Sequence, residues 1–498
     1  MSQLHLWAPR SVDLFAGGGG ASEGILRATG RAPLVAINHD EDAIVMHAKN
    51  HPGSLHLCDD VLSVKPFLPH GKPIHLLWLS PDCRHFSRAK GSKPLSAKIR
   101  ALPGTSVTWA RAVRPWVIGL ENVVEIMSAG PLYPEDHPNP KLRNRPIPER
   151  AGEHWRQWIS DLRSEGYQVE WRVLNAADYG APTARKRLFL IARCDGRPIV
   201  WPEPTHGPGR QHPYRTAGEC IDWSRPMLSV FATRAEAKRF ATEVGVHPPR
   251  RPLAAKTMAR VAEGVRRFVL EADDPFVAPN AGPSWLISTR NGERKGQTPR
   301  VRDLRDPFPT VTAKGSQGAL VTAFVAKHNG GVIGHDVHRP LGAVTARDSH
   351  AVVLAHLTKY YGTGAVGQSL GTPMHTVPTK DRFGLVTSHL IKFYGTSTGS
   401  SLAAPMPTVT AGGNHLGLVT TYLYGEPYVL VDVAMRMLQP RELARAQGFP
   451  EEYILTGTKE QRTARIGNAV PPQVVEAVVR AQFGLDVHGQ PQPLRMVA

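Results

Sequence analysis

An α/β chain, a doubly wound sheet followed by a smaller β-rich part, is what three features of this 498-residue sequence predict. Apolar runs of strand length alternate with helix-like segments from residue 11 to about 195, as βα units do when they cover both faces of one sheet. The first of those strands runs straight into a glycine-rich turn, Ala16 to Gly24. Further on, Val311-Thr312, Val344-Thr345, Val377-Pro378 and Val409-Thr410 recur at spacings of 33, 33 and 32 residues. The organisation expected is an α/β domain over 1–200, a connecting segment over 201–280, a β-rich domain over 281–428 and a segment, 429–498, that returns to the first domain.

Ser11 to Phe15 reads as the first strand, and Ile25 to Ala28 as part of the helix after the turn. Glycines there let the backbone approach a ligand and aim helix N-terminal N–H groups at it. The spacing is not the strict G-x-G-x-x-G of dinucleotide sites, because Gly17 and Gly19 are followed by Ser22. Asp13, two residues before Phe15, fits a positively charged ligand better than a pyrophosphate. Leu34 to Ile37 and a helix from Ala43 to Lys49 make the second unit. Asp40 and Glu41 end its strand, where a ribose would be held; Asp59 and Asp60 precede Val61 in the third. Each of these acids could equally cap a helix.

The run Ile74 to Leu79 is the next strand, and Pro81, which has no N–H for a ladder, ends it. Cys83 therefore falls on the loop past a strand end, where open α/β sheets place their chemistry. Arg84 and His85 beside it favour a thiolate, and the Arg-, Lys- and Ser-rich stretch from Arg84 to Lys93 suits a loop over a polyanion. Trp116 to Leu120 forms another strand, so Glu121-Asn122-Val123 ends at the same crevice, unless Glu121 merely caps a helix. A helix around 153–165 follows. Tyr167 to Asn175 and Lys186 to Arg193 then read as a hairpin that brings Arg185 and Arg187 to the edge holding Glu121.

Residues 196–280 are Pro-rich, with one amphipathic helix from Ala254 to Leu270. The four repeats combine Val and Thr with polar loops, such as Lys314-Gly315-Ser316-Gln317 and Arg347-Asp348-Ser349-His350, and then apolar runs such as Gly384-Leu385-Val386. Their period matches ankyrin repeats, but they lack helical periodicity, so four hairpin-like β units are expected. Pro440 to Gln447 reads as a helix stopped by Gly448 and Pro450. A last helix runs from Gln473 to Phe483, with Pro472 at its first turn.

Lys and Arg number 60 against 42 Asp and Glu, a formal charge of +18, which points to a polyanionic partner. No apolar run approaches the ~20 residues needed to span a bilayer, and Met1 to Arg10 has no secretory core. Cys58, Cys83, Cys194 and Cys220 show no C-x-x-C pairing. A disulfide framework and a structural metal are therefore not expected, and a reducing compartment is.

Taken in order, Asp13-Leu14-Phe15-Ala16-Gly17, Ser80-Pro81-Asp82-Cys83, Glu121-Asn122-Val123, Thr183-Ala184-Arg185-Lys186-Arg187, Arg441 to Pro450 and Gly467-Asn468-Ala469-Val470 resemble the motifs of bacterial and phage DNA (cytosine-5)-methyltransferases. The resemblance covers nearly the whole chain. It implies a Rossmann-like S-adenosylmethionine-dependent domain, with a target-recognition domain where the repeats fall. It implies a methyl transfer to C5 of cytosine in a short context of double-stranded DNA, by base flipping. Cys83 would attack C6, Glu121 would hold N3, and Arg185 and Arg187 would brace the O2 side and the loop. For the cofactor it implies Phe15 near the adenine, Gly17 and Gly19 at the methionine portion and Asp60 at the adenine amine, with Asn468 and Val470 closing the pocket. It further implies a monomer in the cytoplasm of a bacterium or phage-infected cell, with a cognate restriction endonuclease as an open question.

The chain departs from the family at several points. Asp82 and Arg84 flank the cysteine where Pro and Gln are usual. Thr183 stands where Gln is common, and His39-Asp40 where a Glu often lies, which leaves the ribose between Asp40 and Glu41. Two other readings of the same fold stay open: an RNA cytosine-5 methyltransferase, and a DNA-binding chain without catalysis. The intact Cys83, Glu121 and arginine pair count against the second.

Overall fold

The computed structural model describes residues 8–82, 102–272, 277, 283–288, 296–311, 318–327, 356–359, 367–369, 383–386, 389–392, 400–401, 416–418, 420–423 and 426–486. The chain divides into two compact units, one of residues 1–221, 306–316 and 439–498 and the other of residues 222–305 and 317–438. The stretch 201–280 is thus shared between them, and a short piece of the presumed β-rich region belongs to the first.

In the first unit a seven-stranded sheet is built from β1 (Ser11–Leu14), β2 (Val35–Asn38), β3 (Leu55–Cys58), β4 (Leu76–Leu79), β5 (Val117–Asn122), β6 (Gln168–Asn175) and β7 (Lys186–Arg193), in the order β3-β2-β1-β4-β5-β7-β6. The first five are parallel, and β7 runs antiparallel to both β5 and β6. Every residue of β1, β2, β4 and β5 is buried, which explains why these strands read as continuous apolar runs. Each large side chain so buried contributes roughly 1.5–3 kcal/mol. Packed with the sheet are helices α1 (Gly20–Thr29), α2 (Glu41–Asn50), α3 (Thr105–Val113) and α4 (Glu153–Ser164). Val12, Leu14, Ile37, Leu77, Leu79, Trp109, Ile118 and Leu190 sit in one core; Ile25, Trp78, Phe189, Val475 and Val479 sit in the other.

The second unit has helices α5 (Arg234–Val244) and α6 (Ala255–Val265), the latter running on as a π-helical turn, Arg266–Leu270. Its main sheet follows the order β10-β9-β11-β19-β18, with β8 on β19. These strands are β8 (Leu228–Ser229), β9 (Ser284–Ser288), β10 (Val301–Asp303), β11 (Gly318–Lys327), β18 (Thr420–Leu423) and β19 (Glu426–Met437). Trp285 is fully buried beneath α6, where the missing side chain of Gly264 makes room for its ring. Two small antiparallel sheets lie between β11 and β18 in sequence: β12 (His356–Lys359), β13 (Gly367–Ser369) and β14 (Phe383–Val386), then β15 (His389–Lys392), β16 (Ser400–Ser401) and β17 (Leu416–Leu418). Each strand of the second set starts 33 residues after its counterpart in the first. The pairs Val344-Thr345, Val377-Pro378 and Val409-Thr410 lie outside the described residues.

The C-terminal part of the first unit supplies α7 (Pro440–Gln447), α8 (Lys459–Asn468) and α9 (Pro472–Phe483). Helix α9 packs along α1, with Gly24 at the crossing: a Cβ there would stand 2.5 Å from the Pro472 carbonyl.

Candidate active site

The sheet order reverses between β1 and β4, and that switch point is where open α/β sheets hold ligands. Phe15 follows β1 directly in a left-handed conformation, φ 64°, which costs a non-glycine residue of order 1–3 kcal/mol and so calls for enforcement by its surroundings. The glycines after it divide by role. A Cβ on Gly20 would fall 2.1 Å from the Val470 carbonyl oxygen, and one on Gly19 2.1 Å from the Tyr453 hydroxyl. Those glycines therefore serve packing against the C-terminal segment. Gly17 is different: the nearest atom to its Cβ would be the Phe15 carbonyl oxygen at 3.5 Å. This is the point of the turn that a ligand can approach.

Asp13 is fully buried at the end of β1, and Ser22 Oγ donates to its Oδ2 at 2.6 Å. Among the described residues nothing hydrogen-bonds its other oxygen. Burial pushes its carboxyl up to about 7, with the Ser22 hydrogen bond opposing. Asp40 caps α2, accepting from the Ala43 N–H at 3.2 Å, and is exposed like Glu41. The capping reading therefore holds for Asp40, which leaves its side chain partly committed. Asp60 is half-buried and its Oδ1 accepts from the Leu62 N–H. At the far side Val470 is buried beside Gly20, whereas Asn468 ends α8 with its side chain exposed.

The second half of the site lies on β4 and β5. Register aligns Leu79 with Leu120, so the Pro81 turn and Glu121 leave neighbouring strand ends on one side of the sheet. Asn122 ties them together, its Nδ2 donating to the Pro81 carbonyl at 3.0 Å. Glu121 belongs to β5 itself and caps no helix. It pairs in register with Phe189 of β7, which makes Arg187 its diagonal neighbour on the same face. The Arg187 Nε stands 3.3 Å from Glu121 Oε1. Burial raises the Glu121 carboxyl above its ordinary value, against the pull of Arg187 and then Arg185.

Arg185 is buried and uses one nitrogen, Nη1, on two backbone carbonyls: Val311 at 3.0 Å and Gly467 at 2.9 Å. It thus joins the hairpin to two distant pieces of chain. The first repeat enters here, since Phe308 donates its N–H to the Pro182 carbonyl and accepts from the Ala184 N–H. Thr183 is completely buried between them. Cys83 and the loop from Arg84 to Lys93 lie outside the described residues. An apolar cavity of about 570 Å³ elsewhere in this unit, lined by Ile126, Tyr133, Trp155 and Trp158 among others, includes none of the expected site residues.

Sequence reasoning missed three contributors: Tyr453, whose hydroxyl donates to the Gly18 carbonyl at 2.9 Å, His47 behind the turn, and the 306–311 segment. Only tertiary proximity marks them; no local spacing does. Among the described residues no group of His, Cys, Asp and Glu could hold a metal, and no helix is long and apolar enough to cross a membrane.

A sequence model of the family described as C-5 cytosine-specific DNA methylase matches residues 10–217 and 383–483. The type II methyltransferase M.NaeI of Lentzea aerocolonigenes is 30% identical over 328 residues, 61% of this chain and 72% of that protein. M.AgeI of Thalassovita gelatinovora is 25% identical over 41% of this chain, and M1.HphI of Haemophilus parahaemolyticus 29% over 42%. The matches span 43% and 51% of those two proteins, about half their length. A solved mutant of Spodoptera frugiperda DNMT2 aligns with 96% of this chain and 100% of its own at 12% identity, with a TM-score of 0.45.

Proposed function

Because the chain belongs to the family of C-5 cytosine-specific DNA methylases, we propose that it methylates C5 of cytosine in double-stranded DNA. The observation that carries this reading is the buried Glu121, paired with Arg187 and tied through Asn122 to the turn that leads into Cys83. C5 of cytosine is a weak nucleophile. Addition of the Cys83 thiolate to C6 pushes the ring electrons towards N3 and O2, and so makes C5 electron-rich. Glu121, whose proton affinity burial raises, donates to N3 as charge develops there, while Arg187 orients the carboxyl. Once C5 has taken the methyl group, loss of the C5 proton expels the Cys83 thiolate, the N3 proton returns to Glu121, and the aromatic ring is restored. A pocket of this kind takes a base only after it leaves the stack, and the charge of +18 suits the phosphate backbone.

S-adenosylmethionine, the methyl donor of these enzymes, supplies an electrophilic methyl group when bound. The residues present fit it: the free face of Gly17 gives its backbone approach, and the unbonded oxygen of buried Asp13 is an acceptor on the wall behind. Phe15, Gly19, Asp60, Asn468 and Val470 are the further positions proposed to hold it, with Asp40 or Glu41 at the ribose.

The test is methyl transfer from labelled S-adenosylmethionine to unmethylated duplex DNA, read by bisulfite sequencing. Protected cytosines in one short context are expected, along with a covalent adduct on 5-fluorocytosine DNA that Cys83→Ala abolishes. Transfer to RNA alone, or no adduct from the unaltered protein, would overturn the reading.

A further inference from the structure

A file of polar side chains runs behind the glycine turn without a role in the chemistry above. From Asp13 Oδ2 it passes to Ser22 Oγ at 2.6 Å, to His47 Nε2 at 2.8 Å, and from His47 Nδ1 to His56 Nε2 at 2.9 Å. Asp13, Ser22 and His47 are sealed from solvent, while His56 on β3 is only half-buried. The ring of His47 also lies against the turn, 3.3 Å from where a Gly19 Cβ would be. A serine hydroxyl has one proton to give. If Asp13 is ionised, each donor points towards it: His56 to His47, His47 to Ser22, Ser22 to Asp13. If Asp13 is protonated, all three bonds reverse.

We infer that His47 is a positioning residue for the cofactor: through Ser22 it orients the Asp13 carboxyl and through Gly19 it holds the turn, with His56 as the outlet of this file to solvent. The inference rests on the turn being the cofactor site. Other charged and titratable groups face the file. They are Glu23 with its partner Arg27 on α1, His51 just after α2, Tyr453 after α7, Arg465 on α8 with its partner Asp42, and Glu476 with Arg480 on α9. Burial holds His47 and His51 below the ordinary histidine range, so both are neutral near pH 7. Within the file itself Asp13, pushed up to about 7, changes charge in that range, while burial also raises the Glu476 carboxyl on α9.

The experiment is calorimetric binding of S-adenosylhomocysteine without DNA, from pH 6 to pH 8, beside turnover at saturating cofactor and DNA affinity. His47→Phe keeps the ring but loses both bonds. It is expected to weaken binding about tenfold, the loss of one buried hydrogen bond, with turnover and DNA affinity within threefold. His47→Gln places a donor near Nε2 and is expected to recover most of the affinity while flattening its pH dependence. His56→Ala, at the accessible end, is expected to flatten that dependence too and serves where His47→Phe does not fold. Unchanged cofactor affinity in His47→Phe, equal losses in turnover and DNA affinity, or no recovery by Gln would overturn the inference. Failure of the unaltered protein to bind S-adenosylhomocysteine would instead overturn the proposed function.

Discussion

Glu121 and Asp13 are both buried carboxyls, and burial raises the proton affinity of each. In the role proposed for Glu121, the raised value extends the pH range in which it would donate to N3. Turnover is therefore expected to fall as pH rises through that value. Glu121→Gln, which donates a hydrogen bond but transfers no proton, should lower kcat by about 10² or more and remove this limb; single-turnover methyl transfer against pH checks both. Asp13 acts on stability. Its folded value of about 7 exceeds the ordinary 3.8, so the folded state binds the extra proton and stability falls as pH rises across that window. Asp13→Asn has no charge to bury. Its stability advantage over the parent should grow from pH 4 to pH 7, up to on the order of 4 kcal/mol, and parallel thermal-unfolding curves would exclude this. The sequence marked Glu121 because it ends an apolar run, and Asp13 as an acid inside the first strand, two residues before Phe15. It could not tell that Glu121 belongs to a strand and Asp40 to a cap, since both are acids at strand ends and only register and hydrogen bonding separate them.

Helices and strands were legible where one face, or the whole element, is apolar. Strands β1, β2, β4, β5 and β7 and helices α4, α6, α7 and α9 were all readable on that ground, and the β6–β7 hairpin with them. Helices α3, α5 and α8 were not read. Helix α5 buries only Ala237 and Ala241, and α8 buries Thr463, Arg465, Ile466 and Gly467, so neither shows an apolar stripe. The glycine turn looked uniform in sequence and is not, which gives an opposed pair of outcomes. Gly20→Ala collides with the Val470 carbonyl and should destabilise the first unit measurably in thermal unfolding. Gly17→Ala meets only an ordinary contact with the Phe15 carbonyl oxygen; its left-handed backbone costs about 1–2 kcal/mol, so the fold should persist while cofactor affinity drops. If the two variants unfold alike, the division of roles along the turn is wrong.

The first unit is assembled from three separated stretches of chain, and Arg185 binds one carbonyl from each of the other two. Arg185→Ala removes two charge-assisted hydrogen bonds, each worth about 1.5–3 kcal/mol. It should loosen 306–311 and the end of α8 together, read as faster amide exchange in both. Exchange rising in one stretch alone would show that the arginine does not couple them. The three-part assembly also sets an order in time. The glycine turn is synthesised several hundred residues before Tyr453 and Val470, which pack behind it. At about 5–20 residues per second, tens of seconds separate them. Throughout that interval the nascent chain holds the turn with no back wall, so a ligand of that turn is expected to be held only once the segment carrying Tyr453 and Val470 has been made.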